Sequence, residues 1–427
     1  MTSNATDKEA FVWIWLPDAT EPVVAGKLEV DDQGIVQFNY GKSYLGRINA
    51  NPPAISIYEP ELPLKKGVLP LLDGLTIPGC IRDSAPDAWG RRVIINKKLG
   101  RKGKDTDTDA LGELNYLLES GSDRIGALDF QRSPSEYVPR SATNVPLEEL
   151  LESAARVEQG VPLTSELDQA LFHGSSIGGA RPKALIEQIE ECKDTSTKYV
   201  AKFSLSTDLY SVVKAEYIAM RLAALAGINA APVKLVKAAQ KDILLIERFD
   251  REKTTKGWKR KAMVSALTLF GLDEMMARYA SYETFAEIIR HRFNDPKETL
   301  EELFSRIVFN ILCGNTDDHA RNHAAFWSGK TLRLTPAYDI CPQSRTGREA
   351  TQAMLISGDN RLSKLKSCLD ACHHFLLSED EAQTVFKKQH EAIEANWDRV
   401  CDEAKLSAVD RKLFWKRQFL NDFGFEG

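Results

Sequence analysis

The chain has 427 residues, 43% hydrophobic and 27% charged, the make-up of a globular protein with room for two or three domains of roughly 100–200 residues. A net charge of −5 and a pI of about 5.9 exclude a chain that is basic throughout, as a nucleic-acid coat would be, while allowing a local basic face. No apolar run reaches the roughly 18 residues of a membrane span, the start MTSNATDKEAFVWIWLPDA lacks the basic flank of a signal peptide, and seven scattered cysteines fit reduced thiols, so a cytoplasmic protein without a membrane partner is expected.

Residues 10–60 have a β-rich pattern. The run 11–16 is apolar and ends at Pro17; 23–30 and 35–40 flank a turn-like Asp31-Asp32-Gln33-Gly34; 54–58 reads as one more strand. The spacing predicts a helix over 84–99, with Asp83 or Ser84 as N-cap and Gly100 as its stop. "RKGKDTDTD" (101–109) imitates the start of an EF-hand loop. Ala110 then stands where the turn glycine belongs and Tyr116 where the last glutamate belongs, so a solvated connector is expected. Pro134, Pro139 and Pro146 mark 132–146 as a linker.

The stretch "HGSSIGGARPK" (173–183) has three readings. Gly174-x-Ser176-x-Gly178 fits a nucleophile elbow, the small residues suit a phosphate-wrapping loop, and Ser175 and Ser176 are candidate modification sites. An elbow needs a strand before the serine and a helix after it. Here "ELDQALFH" upstream is helix-like, while Pro182 and the strand-like 184–189 follow. A Walker A loop is excluded, because Ala180 stands where its lysine is required.

Further on, 184–189 and 199–203 predict strand, turn, strand. A helix is predicted over 211–226, stopping at Gly227, and strands at 233–236 and 243–246. Beyond about 261 helical periodicity dominates. There "GNTDDHARNH" (314–323) is the densest polar cluster. Asp317 and Asn322 have four residues between them, and Asp339 follows in "LTPAYDI". That is the spacing of protein-kinase active sites, where one aspartate takes a hydroxyl proton and an asparagine and second aspartate hold Mg²⁺. A capped loop between helices would also show it. The order upstream favours the kinase reading: a glycine-rich loop, then Lys202 on a strand, then Glu216 on a helix to hold that lysine. Cys368 and Cys372 fit buried thiols on a helix, and Trp258 in "KTTKGWKRK" fits a solvated hairpin.

"DSAPDAWGRRV" (83–93), "SSIGGARPKAL" (175–185), "YVAKF" (199–203), "LLIERFDR" (244–251), "GNTDDHARNH" and "LTPAYDI" together resemble the HipA family of serine/threonine-kinase toxins from type II toxin–antitoxin modules. The resemblance implies an α+β fold: a β-rich N-terminal part (residues 1–130), a kinase N-lobe (131–250) and a mostly helical C-lobe (251–427). It implies Asp317 as catalytic base and Asn322 and Asp339 as Mg²⁺ ligands. Lys202 would touch the ATP phosphates, and Gly178, Gly179, Ala180, Arg181, Pro182 and Lys183 would form the phosphate loop. Glu247, Arg248 and Phe249 would form the hinge against adenine, with His319, Ala320, Arg321 and Tyr338 beside the nucleotide. Ser176, or alternatively Ser175, would be autophosphorylated. ATP and Mg²⁺ are the implied cofactors. The implied partners are a HipB-like helix-turn-helix antitoxin, operator DNA through that antitoxin, and an aminoacyl-tRNA synthetase substrate such as glutamyl-tRNA synthetase. The loop departs from the family pattern at Ser175, Arg181 and Pro182. The competing readings are a catalytically silent regulator acting with its antitoxin, and a serine hydrolase using Ser176.

Overall fold

A computed structural model describes residues 7–99, 111–140, 145–161, 181–190, 195–205, 207–345 and 347–426. The first sheet is antiparallel, with strand order β4-β3-β2-β1-β5. Its strands are β1 (Glu9–Ile14), β2 (Val23–Val30), β3 (Val36–Tyr40), β4 (Val68–Leu69) and β5 (Leu128–Gln131). The β2–β3 turn is fixed by Asp31, whose Oδ1 accepts from the backbone N–H of Gln33 and of Ile35 at 2.9 Å each. The strand expected at 54–58 does not form. Tyr40 and Tyr44 supply the hydrogen bonds that a ladder would have given: the Tyr44 hydroxyl donates to the Ile55 carbonyl at 2.7 Å, and the Ile57 N–H donates to the Tyr40 hydroxyl at 2.8 Å.

The helix expected over 84–99 begins only at Ala88 and runs to Leu99. Asp87 Oδ1, rather than Asp83 or Ser84, caps it by accepting from the Gly90 N–H at 2.9 Å. Asp83 is engaged elsewhere, by the N–H and hydroxyl of Ser265 at 2.7 Å each.

The second sheet has the order β6-β7-β9-β8, again antiparallel. Its strands are β6 (Lys183–Glu190), β7 (Thr195–Phe203), β8 (Val233–Ala238) and β9 (Lys241–Glu247). Between β7 and β8 lies the helix Val212–Leu225. Trp89 and Val93 of the Ala88–Leu99 helix and Leu150, Leu151 and Ala154 of the helix Leu147–Gln159 form a core with Ala184, Tyr199, Ala201 and Phe203 of β6 and β7. A helix that begins in the N-terminal region thus packs against the second sheet.

A hairpin of β10 (Arg251–Thr254) and β11 (Gly257–Arg260) follows and carries Trp258. A small sheet of β12 (Met263–Ser265), β13 (Ala324–Trp327) and β14 (Leu332–Leu334) then lies within the region expected to be mainly helical. Its strands of three or four residues are too short to show an alternation. The remainder is built from the helices Tyr282–Arg292, Pro296–Cys313, Leu365–Ala371, Glu379–Glu403 and Ala408–Phe414. Pro296–Cys313 is the buried axis, with Leu300, Phe304, Ile307, Val308 and Ile311 inside. It ends at Gly314, which has φ +72°; a Cβ there would come within 2.6 Å of the Gln418 carbonyl. The polar loop 315–323 starts at that stop. Cys368 and Cys372 are buried. One hydrophobic core joins Val12 and Leu28 of the first sheet to Ile307 and Ile311 of the helical region. Among the described residues no helix is long and apolar enough to cross a membrane.

Candidate active site

Three elements converge on one lysine. β7 carries Lys202, whose Nζ lies 2.6 Å from Glu216 Oε1 on the Val212–Leu225 helix and also pairs with Asp339 Oδ1. Lys202 and Glu216 are buried. Burial alone would lower the lysine pKa, but the charges of Asp339 and Glu216 outweigh it and raise it, so the amine stays cationic. Burial likewise opposes ionisation of Asp339; Lys202 overcomes it and holds the carboxyl at about 2. Glu216 is shifted upward, by burial first, with Lys202 opposing and Asp339 adding to it. Asp339 has φ +59°, in the left-handed region that aspartate and asparagine enter more readily than other side-chain-bearing residues.

The loop after Gly314 sorts its two adjacent aspartates. Asp318 points inward, where it accepts from Asn310 Nδ2 at 2.7 Å, pairs with His323 Nε2 at 2.8 Å and accepts from the Tyr282 hydroxyl. Asp317 stays exposed. Its pKa is raised, by desolvation first and then by Asp339 and Asp318, with His319 opposing. Asn322 Nδ2 donates to the Asp317 carbonyl at 3.1 Å and staples the loop. Its Oδ1 is buried and finds no hydrogen-bond partner among the described residues. An orphaned amide oxygen is a fit donor for a hard cation such as Mg²⁺, which takes oxygen ligands and needs only one or two protein groups beside phosphates and water.

Next to Lys202 and Asp339 lies a narrow cavity of about 50 Å³, lined by Val200, Ile246, Phe249, Met263 and Tyr338. The Phe249 ring lies 5.7 Å from that of Tyr338, and the Tyr338 hydroxyl donates to the Arg321 carbonyl at 2.7 Å. Apolar walls with a cation and a carboxylate at one end suit a flat base attached to phosphates. Glu247 ends β9 and lines this cavity with Arg248 and Phe249. The Arg248 side chain is committed to Asp123, Asp250 and the Arg124 carbonyl, at 2.7–3.0 Å. The Arg248 guanidinium is therefore committed to protein groups.

Arg181 forms a two-pronged pair with Asp208, both contacts at 2.9 Å, and Pro182 is buried behind it. Lys183 is buried, with its Nζ 2.6 Å from Asp87 Oδ2, while the Trp89 indole donates to the Lys183 carbonyl at 3.1 Å. The cap of the Ala88–Leu99 helix therefore grips the root of the glycine-rich loop. Ala320 is buried in a single helical turn, His319 is half-buried, and Arg321 pairs with Glu274. Ser175, Ser176, Gly178, Gly179 and Ala180 lie outside the described residues. Sequence reasoning gave no role to Asp87 or to the inward network of Asp318, His323, Asn310 and Tyr282. The second Asp and second His of "GNTDDHARNH" were the only local hint of that network.

If Lys202 is the residue that meets ATP phosphates, Lys202→Ala should weaken ATP binding by at least about tenfold, because it removes the cation held between Glu216 and Asp339. Calorimetric titration with Mg²⁺ and ATP checks this; unchanged affinity and unchanged turnover would reduce Lys202 to a structural lysine.

A strand lysine held by a helix glutamate and by an aspartate beside an apolar cavity, ahead of a mostly helical part, defines a protein with the two-lobed kinase-like fold, here carrying a β-rich region in front. Residues 175–397 match the HipA-like C-terminal domain and residues 15–131 the HipA N-terminal domain, so the chain belongs to the HipA family. The Shewanella oneidensis serine/threonine-protein kinase toxin HipA is 24% identical over 276 residues, 58% of this chain and 61% of that one. The Sinorhizobium fredii protein named "Putative kinase Y4mE" is 22% identical over 332 residues, 74% of each chain. In three dimensions the chain is similar to HipA of Shewanella oneidensis, solved with HipB and operator DNA. The TM-score is 0.66 at 20% identity, over 96% of this chain and 99% of that one.

Proposed function

We propose that this chain is an ATP-dependent serine/threonine protein kinase, the toxin component of a toxin–antitoxin module. The observation that carries the reading is the convergence of Lys202, Glu216 and Asp339 beside the apolar cavity. Lys202 binds the ATP phosphates. The backbone of Glu247, Arg248 and Phe249 faces the adenine, and Gly178, Gly179, Ala180, Arg181, Pro182 and Lys183 form the loop over the phosphates. Asn322 and Asp339 would hold Mg²⁺, which when bound offsets charge on the β- and γ-phosphates. Asp317 orients an acceptor hydroxyl and receives its proton. Exposure of Asp317, and its raised affinity for a proton, support that role.

An aminoacyl-tRNA synthetase, glutamyl-tRNA synthetase among them, is the proposed substrate class, so transfer would stop translation in the cytoplasm. A HipB-like helix-turn-helix protein is the proposed antitoxin; the complex of Shewanella oneidensis HipA with HipB and operator DNA supports that partner and the DNA it reaches.

The test is incubation with γ-labelled ATP and Mg²⁺. Label should appear on the segment carrying Ser175 and Ser176, with Ser176 as the main site. The phosphorylated protein should bind ATP poorly, because about −1.5 to −2 added charges compete for the donors that hold the ATP phosphates. An active kinase with no phosphopeptide from that segment would sink the loop assignment, and no transfer at all would sink the kinase reading.

A further inference from the structure

The segment 82–89 leads from the N-terminal region into the Ala88–Leu99 helix and is bonded to two other sheets. One end grips the small sheet and the turn after it. Arg82 Nη2 donates to the Leu272 carbonyl at 2.9 Å, and the Asp83 carboxylate accepts from the N–H and the hydroxyl of Ser265 at 2.7 Å each. The other end grips the second sheet. Asp87 Oδ2 accepts from Lys183 Nζ at 2.6 Å, and the Trp89 indole donates to the Lys183 carbonyl at 3.1 Å. Arg82, Asp83, Asp87, Trp89, Lys183 and Ser265 are all buried, where charge-assisted hydrogen bonds are strongest.

Each end meets a residue next to the site. Ser265 closes β12 and stands opposite Ala324 of β13. The following residue, Ala266, donates its N–H to the His323 carbonyl at 2.8 Å, and His323 Nε2 lies 2.8 Å from Asp318, the neighbour of Asp317. At the other end, Lys183 begins β6 directly opposite Lys202 of β7, and both lysines line the nucleotide cavity. Asp83 and Asp87 are four positions apart, a span that reaches at most about 14 Å. Pro86 between them has a fixed φ and restricts Ala85 before it, so the connection is stiff as well as short.

We propose that the segment 82–89 is a strap that holds the strand pair bearing Lys183 and Lys202 at a fixed position relative to the loop bearing Asp317, with Asp83 and Asp87 as positioning residues for phosphate transfer. The proposal rests on the kinase reading above and deepens it. It gives the N-terminal region a part in the reaction without placing any of its groups on the reacting atoms. Transfer needs the phosphates at Lys202 in line with a hydroxyl at Asp317, and a misplacement of about 1 Å can cost about 10² in rate. β7 and β13 belong to different sheets, and the strap is bonded to both sheets.

Two variants of the full chain each cut one end. Asp83→Ala frees Ser265. Asp87→Ser frees Lys183, because serine still caps the Ala88–Leu99 helix but is too short to reach the ammonium. Trp89→Phe loosens the same end with both carboxylates in place, and it replaces Asp87→Ser if that variant does not fold. Hydrogen exchange read by mass spectrometry and single-turnover transfer from labelled ATP with Mg²⁺ are the two measurements. A strap transmits, so each substitution should speed exchange at the end it does not touch by at least about threefold: β12 in Asp87→Ser or Trp89→Phe, and β6 in Asp83→Ala, with the helix Glu379–Glu403 unchanged. Each single variant should transfer at least about tenfold more slowly, and the double variant should be within about twofold of the slower single, because cutting either end releases one constraint. Exchange quickened only beside the substituted residue, or losses that multiply in the double variant, would overturn the strap and leave the kinase reading intact. Exchange quickened throughout, Glu379–Glu403 included, would overturn it as well, reducing the segment to a support of overall stability. Quickened exchange at the far end with transfer at wild-type rate would overturn the positioning role. A wild-type protein that transfers no phosphate would overturn the kinase reading and the positioning role together, and exchange alone would then decide whether the two ends are coupled.

Discussion

Asp317→Asn protein should transfer phosphate at least about 10² more slowly than wild type while keeping its fold and its affinity for ATP. The amide has the size of the carboxylate but cannot take the hydroxyl proton, and a positioned base contributes about that much. The fold should survive because Asp317 is exposed, and among the described residues the loop is anchored by Asp318, which is gripped by Asn310, His323 and Tyr282. Asp339→Asn should lower transfer by a similar factor through another route. It leaves Lys202 paired with Glu216 at 2.6 Å, so the pocket persists, and asparagine tolerates the left-handed backbone at this position. What it removes is a carboxylate held ionised down to about pH 2. The two variants should therefore separate: ATP affinity in Asp339→Asn should lose its dependence on Mg²⁺, whereas in Asp317→Asn it should retain it. Single-turnover transfer and calorimetry at two Mg²⁺ concentrations measure both effects. Wild-type transfer by Asp317→Asn would remove it from the role of base.

The features of this site that were legible in the sequence are those whose signals are local. Lys202 sits in the short, mainly apolar run Tyr199–Phe203 and Glu216 in a helix of ordinary spacing, so local pattern places each on its element. The pairing of Asp87 with Lys183 joins residues 96 positions apart, and no local pattern encodes it. Which of Asp317 and Asp318 faces inward depends on Tyr282 and Asn310, supplied by two helices the loop does not belong to. The segment 54–58 alternates as a strand does, yet two tyrosine hydroxyls satisfy its backbone, and an alternating pattern cannot distinguish that from a ladder. The late helix start at Ala88 has a readable cause, since Pro86 lies just before the capping Asp87 and the residue before a proline disfavours helix.

Replacing Asp123 with alanine should cost about 3–5 kcal/mol of stability, the range for stripping a partner from buried charges. Asp123 joins the N-terminal region to the segment 248–251. Its carboxylate accepts from Arg248 at 2.9 Å, Arg251 at 3.0 Å and Lys198 at 2.6 Å. Asp250 is the second anion in the cluster; it takes both arginines and also the Gly126 N–H at 2.8 Å. The cluster is already short of negative charge: burial, and then the charges of Arg248 and Arg260, push the Arg251 guanidinium down to about 9 even though Asp250 and Asp123 oppose them. Without Asp123 two buried guanidinium groups share one carboxylate. The pH dependence has a definite sign. Burial opposes ionisation of Asp123 and Asp250, but Arg248 and Arg251 overcome it and hold both carboxyls below the ordinary aspartate value, Asp123 well below. A depressed folded-state pKa gives stability that is fully present above the unfolded value of about 3.9 and lost as pH falls toward the folded value. Wild type should therefore lose stability steeply below about pH 4, and Asp123→Ala, already weakened at pH 7, should lose less over the same interval. Urea unfolding at pH 7 and at several points below 4 measures both slopes. Because Arg248 lines the cavity proposed to take ATP and is held by this cluster, the variant should also bind ATP more weakly at pH 7, with the backbone of Glu247, Arg248 and Phe249 no longer fixed. An unchanged urea midpoint at neutral pH would show that Asp250 alone suffices to neutralise the joint, and that the N-terminal region does not hold the hinge through Asp123.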